Sequence, residues 1–172
     1  MGNQKFVESE EYDLRYSTVG DLDPLRAWLK IRGMLHWFPP GDDQELENFA
    51  RMWIGFCRHN AALTATYKES PVGMGSLYLM PYRKVAHQCM FQLIVDPDYQ
   101  KRGVGHSLVK NLKHLAKTQF RQEYMYVEIF DEKSPLIDLL KELDFTEFAR
   151  QEKYVKEGDQ YFSRILMGSF LK

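Results

Sequence analysis

Apolar residues recur along this chain in two kinds of pattern, and the two kinds alternate. Short apolar runs bounded by turn residues predict β-strands. Seven such runs predict strands over residues 13–18, 62–67, 72–79, 87–95, 124–130, 145–150 and 161–167. The last two are expected to pair as a hairpin joined across residues 157–159.

The second pattern, apolar residues three and four positions apart, predicts helices. The expected helices are one that follows Asp21 as its N-cap and carries Leu25, Trp28, Leu29 and Ile31, one over residues 43–53, one over residues 105–118, and a short one opened by Ser134 and Pro135. Helices that alternate with strands predict an α/β (α+β) fold with a mixed, mostly antiparallel sheet.

The composition favours one well-packed domain. The chain has 172 residues, of which 44% are hydrophobic and 14% aromatic, so it carries enough apolar surface for a single core. We therefore expect one domain over residues 1–172, with residues 1–12 as a loose N-terminal segment. A formal net charge of −1 argues against general binding to nucleic acid or to a membrane surface.

The cysteines and the lack of targeting signals indicate a cytoplasmic protein. Cys57 and Cys89 are far apart, so they predict neither a disulfide framework nor a metal site. No apolar run approaches the length of a membrane span, and the first residues lack the apolar segment of a signal peptide. Reduced thiols in the cytoplasm are the expectation.

One segment carries the chemistry of the chain: a strand, a tight loop and an amphipathic helix over residues 92–108. Such a loop leaves the first backbone N–H groups of the helix unpaired around one concavity. Gly103 and Gly105 lack a Cβ, which lets a phosphate approach the backbone, while Lys101 and Arg102 add positive charge. The segment therefore predicts a pyrophosphate site, and a turn that merely enters a helix is the alternative for a bare Gly-x-Gly.

Two common phosphate-binding motifs do not match this segment. A Walker motif needs Gly-Lys-Ser/Thr, whereas Gly105 is followed by His106 and Ser107. A dinucleotide-binding motif needs a third glycine at the position where Leu108 stands. Nucleotide triphosphates and dinucleotides are therefore disfavoured as ligands.

Gln100, Gly103 and Gly105 match the signature Gln/Arg-x-x-Gly-x-Gly/Ala of the GNAT superfamily of acyl-CoA-dependent N-acyltransferases, and the chain resembles that family over essentially its whole length. The resemblance implies a sheet whose central strand pair splays apart, with acetyl-CoA as the co-substrate. It implies that the pyrophosphate lies on the N–H groups of the signature loop and that the pantetheine pairs with the preceding strand. The implied cofactor-binding residues are Leu93, Ile94, Val95, Gln100, Lys101, Arg102, Gly103, Val104, Gly105 and His106, together with Ser134, for which a helix-capping role is the alternative.

The resemblance also implies groups that handle protons. Glu128 lies in the strand where the bacterial ribosomal-protein N-terminal acetyltransferases carry a basic glutamate; a salt-bridged or solvated carboxylate is the alternative. Leu140 stands where family members often have a tyrosine acid, so the thiolate leaves unassisted or with help from Tyr154, for which a surface aromatic is the alternative. His87 and Cys89 are candidates for a polar relay, with packing as the alternative.

The activity that the resemblance implies is N-acetylation. An acetyl group passes from acetyl-CoA to a primary amine, on a small molecule or a protein N-terminus, by direct attack in a ternary complex. A catalytically weak acyl-CoA-binding sensor or interaction module is the alternative, which the missing tyrosine supports. The expected partner is the amine acceptor, beside the aromatic segment of residues 34–40. No metal, nucleic acid or membrane is expected, and a homodimer is left open.

Overall fold

Seven strands form one mixed sheet in the computed structural model, which describes residues 12–171. They are β1 (Asp13–Tyr16), β2 (Ala62–Tyr67), β3 (Ser70–Leu79), β4 (Gln88–Val95), β5 (Tyr124–Phe130), β6 (Thr146–Glu157) and β7 (Gln160–Phe170). Their order across the sheet is β1-β2-β3-β4-β5-β7-β6, and every neighbouring pair is antiparallel except β4 and β5. The mixed, mostly antiparallel sheet is confirmed. The segment expected to be loose, residues 1–12, lies outside the described residues except for Tyr12.

The predicted helices are all present, with small shifts at their ends. They are α1 (Leu22–Leu29), α2 (Asp43–Gly55), α3 (Val104–Thr118) and α4 (Leu136–Glu142). The first is shorter than its apolar pattern predicted, because Ile31 lies beyond its end and is 41% exposed. Within residues 12–171, no helix is long and apolar enough to cross a membrane.

Two local predictions need correction. Asp21 precedes α1, but its carboxylate does not cap that helix; it accepts hydrogen bonds from both terminal nitrogens of Arg15, at 2.8 Å each, and from the Thr64 hydroxyl, at 2.9 Å. Strands β6 and β7 extend beyond their apolar runs, because they stay paired through polar residues up to the turn at Gly158. Ladder hydrogen bonds join backbones and do not require apolar side chains, so an apolar pattern underestimates such strands.

The core lies on both faces of the sheet. On one face α3 packs its apolar stripe against the sheet, where Val127 and Ile129 of β5 are buried. On the other face α1 and α2 pack on Met74 of β3 and Ile94 of β4. Because side chains alternate along a strand, Glu128 of β5 points away from the α3 face, toward the side that carries α1 and α2.

The parallel pair β4–β5 separates partway along its length. The two strands pair over three residues only, and the last pair is Met90–Tyr126. Beyond it, β4 continues along β3 as far as Val95, and β5 continues along β7 as far as Phe130. The opening between the two diverging strands is called the split below. The splayed central strand pair is thereby confirmed.

Candidate functional site

The split exposes the backbone edges of two central strands. From residue 91 to residue 95, β4 pairs with β3, and the edge that faces β5 carries no ladder partner among the described residues. The register that joins Met90 to Tyr126 makes Gln92 and Glu128 the next two residues in line, one on each side of the split and both on the α1–α2 face. An unpaired strand edge offers N–H and C=O groups to an extended ligand, which can pair with it as an added strand.

The N-terminus of α3 offers a set of free hydrogen-bond donors. The first helical bond runs from the Ser107 N–H to the Gly103 carbonyl at 2.9 Å, so the N–H groups of the first turn have no helical acceptor. Gly103 is the N-cap, has a left-handed φ of 87°, and makes no side-chain cap because it has no side chain. A Cβ at Gly103 would meet no atom within 4 Å. This end of α3 is therefore open and electropositive, which suits a phosphate.

The loop that precedes α3 lies next to the split. The Gln100 amide donates to the Val95 carbonyl at 3.2 Å, which ties the loop to the end of β4. The Arg102 guanidinium lies over the Tyr99 ring, 5.4 Å from its centroid. Lys101 is exposed and has a left-handed φ of 60°. The helix start and the open edge of β4 are thus adjacent, as one ligand that reaches both would require.

The surroundings of Gly105 show a packing reason for a glycine at this position. A Cβ on this residue would lie 3.0 Å from the Leu139 Cδ1 atom of α4 and 3.7 Å from side-chain atoms of Leu93 and Val95. The missing side chain of Gly105 therefore lets Leu139 of α4 pack against the start of α3. The N–H of Gly105 still belongs to the free first turn. The Val104 side chain is buried in the core, so only its backbone can face a ligand.

Ser134 acts at the start of α4. Its hydroxyl oxygen accepts a hydrogen bond from the Leu136 N–H at 3.3 Å, and its own N–H donates to the Asp131 carbonyl at 3.1 Å. The first contact, with the N–H of the first helical residue, agrees with the capping role that the sequence left as an alternative.

Glu128 and Tyr154 lie in one cluster through a residue that the sequence analysis missed. Arg164 of β7 donates from a terminal nitrogen to the Glu128 carboxylate, and both side chains are 26% exposed. The same guanidinium lies over the Tyr154 ring, 4.9 Å from its centroid, and that ring stacks on Phe130 with the centroids 6.1 Å apart. The hydrogen bond to Glu128 raises the pKa of Arg164 above its usual value. The sequence did offer a signal, because Arg164 is a charged residue inside an apolar strand. Its partner, however, depends on strand register, which the sequence does not show.

A second polar group on the same face was also missed. The Gln92 amide nitrogen donates to the Tyr78 hydroxyl at 2.6 Å and to the Ser76 hydroxyl at 3.3 Å. Burial raises the pKa of Tyr78 to about 12; the negative charge of Glu128 adds to that shift, and the Gln92 hydrogen bond opposes it. Tyr78 therefore keeps its proton at neutral pH and lies within electrostatic range of Glu128.

Three further candidates lie elsewhere in the fold. Burial raises the pKa of the Cys89 thiol to about 12, so this residue is a protonated packing group rather than a relay. Leu140 belongs to α4 and is fully buried in the core. His87 is exposed just before β4.

Comparison with solved structures finds this fold in known acetyltransferases. The ribosomal-protein-alanine N-acetyltransferase of Brucella melitensis has a TM-score of 0.77 over 92% of this chain and 99% of that chain, at 20% identity. The ribosomal-protein-S5-alanine acetyltransferase of Vibrio fischeri has a TM-score of 0.76 over 96% of each chain, at 15% identity. A proposed acetyltransferase of Salmonella typhimurium, solved with its cofactor acetyl-CoA, has a TM-score of 0.76 over 94% of each chain, at 17% identity. These likenesses show the fold.

A comparison of the sequence with protein-family models identifies the family, which structural likeness at this level of identity cannot show. No curated protein sequence matches this chain at a significant level. The model of the acetyltransferase (GNAT) family matches residues 27–145, which is more than half of the chain and includes both edges of the split and the start of α3. The chain therefore belongs to the GNAT family of acetyltransferases, enzymes that use acetyl-CoA.

Proposed function

We propose that this chain transfers an acetyl group from acetyl-CoA to a primary amine by direct attack, with both substrates bound at once. The observation that carries the proposal is the split between β4 and β5, with the open start of α3 beside it. The acceptor is an amine on a small molecule or a protein N-terminus. Two structural neighbours are described as ribosomal-protein-alanine acetyltransferases, which supports including N-termini among the acceptors to test.

The residues at the split fit coenzyme A. Its pyrophosphate would lie on the backbone N–H groups of residues 101–106, where Gly103 leaves open space and the helix start favours an anion. Its pantetheine arm has amide groups that suit the free edge of β4 at Leu93, Ile94 and Val95. Gln100 holds the loop against β4, and Ser134 caps α4, so we assign both as supports rather than as ligands.

The bound acetyl-CoA supplies an activated thioester. A backbone N–H on the free edge of β4 would donate to the thioester carbonyl oxygen and stabilise the negative charge that develops there. Fixing both substrates in the split removes the entropy cost of bringing them together. These two effects need no side chain at the reacting atoms.

Glu128 is the proposed base. An amine acceptor arrives mostly protonated at neutral pH, since the pKa is about 10 for an aliphatic amine and about 8 for a protein N-terminus, and it must lose a proton before it attacks. Glu128 lines the split and can accept that proton directly or through a water molecule. The contact with Arg164 holds the carboxylate in place. For the leaving thiolate, whose pKa of about 8.5 makes it a tolerable leaving group, Tyr154 stays the proposed acid beside unassisted departure.

Three broader proposals accompany this function. The single sheet, to which all described strands belong, supports one domain over the chain. Both cysteines are free thiols, which supports a reducing compartment such as the cytoplasm. A homodimer is left open.

The test is thiol release from acetyl-CoA with a panel of small amines and peptides that have free N-termini. With an accepted amine, Glu128→Gln should lower kcat by roughly 10²–10⁴ and leave CoA affinity unchanged. Glu147→Gln is the matched control, because Glu147 also pairs with an arginine but lies on the surface. CoA binding without turnover on any amine would favour the sensor or interaction module. A wild-type rate in Glu128→Gln would remove the base role, and a wild-type rate in Tyr154→Phe would remove the acid role.

A further inference from the structure

One chain segment connects the ends of the two strands that border the split. This segment, residues 28–38, is called the strap; it runs from the last turn of α1 through a short 3-10 turn at Leu35–Trp37. At one end the Trp28 indole donates to Asp96 at 3.2 Å, directly after β4. Further along, His36 Nε2 lies 2.9 Å from an Asp131 carboxylate oxygen, directly after β5. The strap therefore crosses the mouth of the split from one strand end to the other.

His36 is held on both of its ring nitrogens. Its Nε2 contacts Asp131, and its Nδ1 lies 3.0 Å and 3.2 Å from the two carboxylate oxygens of Glu157, at the end of β6. A neutral imidazole has only one N–H, so it can donate to one of these carboxylates but not to both. Only the imidazolium satisfies the whole arrangement. The rings of Trp37 and Phe162 pack edge-on against the imidazole, with each ring centroid 4.7 Å from that of His36.

Asp131 is a rigid anchor for this contact. Its side chain is 8% exposed, and one carboxylate oxygen also accepts the Lys133 N–H at 2.9 Å. Its backbone N–H donates to the Ser163 carbonyl of β7 at 3.0 Å. Its φ of 113° is a conformation that residues other than glycine rarely adopt. The surrounding bonds must therefore hold the residue, and they hold its carboxylate toward the strap.

The strap lies on the face of the sheet where the proposed base is. Ile94 of β4 packs in the α1–α2 cluster, and the parallel register places Glu128 of β5 on the same face. The helix α3 packs on the opposite face. An acceptor amine that reaches Glu128 must therefore pass beside the strap.

We propose that His36 is a positioning residue: as an imidazolium between Asp131 and Glu157, it holds the strap across the split. The strap then forms one fixed side of the site in which the acceptor amine is oriented. The inference rests on the proposed function. It assigns no proton transfer to His36, and it requires no contact between His36 and the reacting atoms.

The contact of His36 with Asp131 and Glu157, called the clamp below, has a defined pH window. Burial alone would lower the pKa of His36, but the hydrogen bonds and charges of Asp131 and Glu157 outweigh burial and raise it. The charged groups that face this cluster are Asp131 after β5, Glu157 on the hairpin and Lys133 beside Asp131. A raised histidine pKa means that the contact is complete below about pH 6.5 and is lost as the pH rises through the raised value. Hydrogen bonds to the Lys133 N–H and to His36 outweigh burial and lower the pKa of Asp131, so it stays charged throughout that range.

The test compares His36→Gln with two other variants. Glutamine keeps a donor but loses the charge and the second contact. The kcat/KM for the acceptor should therefore fall roughly 10–100-fold because the strap is misplaced, with CoA affinity unchanged. His36→Arg can bind two carboxylates at any pH, so it should restore much of the loss. Its kcat/KM should also lack the fall that we expect in the wild type as the pH rises through the raised pKa of His36. His114→Gln, on the exposed face of α3, is the matched control and should behave as wild type.

Two readouts do not depend on turnover. The wild-type imidazole of His36 should titrate above pH 6.5 by NMR, and hydrogen exchange at the amides of Met34, Trp37 and Phe38, which are hydrogen-bonded within the strap, should speed up in His36→Gln. Unchanged exchange would overturn the clamp. Faster exchange with unchanged acceptor kinetics would overturn the positioning role. A chain that acetylates no amine while the clamp titrates as expected would contradict the proposed function, and the positioning role with it.

Discussion

Placing a negative charge at the start of α3 should weaken CoA binding without damaging the fold. Gly103 has a φ of 87°, which asparagine and aspartate tolerate better than other residues with a side chain. A Cβ there meets no atom within 4 Å, so the new side chain would point into open space. Gly103→Asp adds charge to that space, and Gly103→Asn adds nearly the same volume without charge. The difference in CoA affinity between the two variants therefore measures the effect of the charge, separately from any steric obstruction by the new side chain.

The expected size follows from ligand linkage. CoA at 100 times its Kd stabilises the wild type by about 2.7 kcal/mol, which is about 5–11 °C in Tm for a chain of this length. Two unit charges 4 Å apart repel by about 4 kcal/mol near a protein surface and by about 1 kcal/mol in bulk water. Because Gly103 is exposed, we take about 2 kcal/mol, which weakens Kd about 30-fold. The same CoA concentration then stabilises by about 0.9 kcal/mol, or about 2–4 °C.

Thermal unfolding with and without CoA measures both numbers. Without CoA, Gly103→Asp should unfold no earlier than Gly103→Asn, because an acidic group stabilises a helix start by about 0.3–1 kcal/mol. Gly33→Asp is the matched control: Gly33 has a φ of 84° and equally open surroundings, and its variant should keep the full CoA shift. A wild-type CoA shift in Gly103→Asp would refute the placement of the pyrophosphate at this helix start.

Three further predictions concern an ion pair and the packing of the fold. Asp21→Asn should cost about 2–3 kcal/mol at pH 7 in urea unfolding, below the ~3–5 kcal/mol of a fully buried pair because the Arg15 side chain is 40% exposed. Hydrogen bonds to Asp21 lower its pKa against the opposing effect of burial, so the difference between wild type and variant should persist above about pH 4 and shrink as the pH falls through the lowered value; a pH-independent difference would contradict this. Gly168→Ala should cost about 1–3 kcal/mol, because its Cβ would overlap the Tyr124 ring, and the cost should vanish in a Tyr124→Ala background. Leu140→Tyr should cost about 1–3 kcal/mol, because Leu140 is fully buried, and an increase in turnover would show that the position faces the split instead.

Much of the fold is determined by local pattern in the sequence. The spans of β2 and β5 coincide with the predicted runs, and the predicted helices all form within a few residues of their expected ends. Apolar spacing and turn residues act over a few positions, so they can be read without knowing the fold. The signature Gln100, Gly103 and Gly105 likewise identified the family and the place of the helix start, because the conformation of a tight loop is set by its own residues.

The tertiary structure decided which side chains meet. Arg164 reaches Glu128, 36 positions away, only because β5 and β7 are neighbours, and His36 reaches Asp131 and Glu157 across 95 and 121 positions. Strand order and register set these pairs, and a one-residue slip would turn every side chain of a strand to the other face. The packing role of Gly105 was hidden for the same reason, since only the position of α4 shows that a Cβ on this residue would crowd Leu139. Local chemistry in the sequence determined the elements and the loop, whereas contacts between distant elements determined the proposed base's partner and the strap.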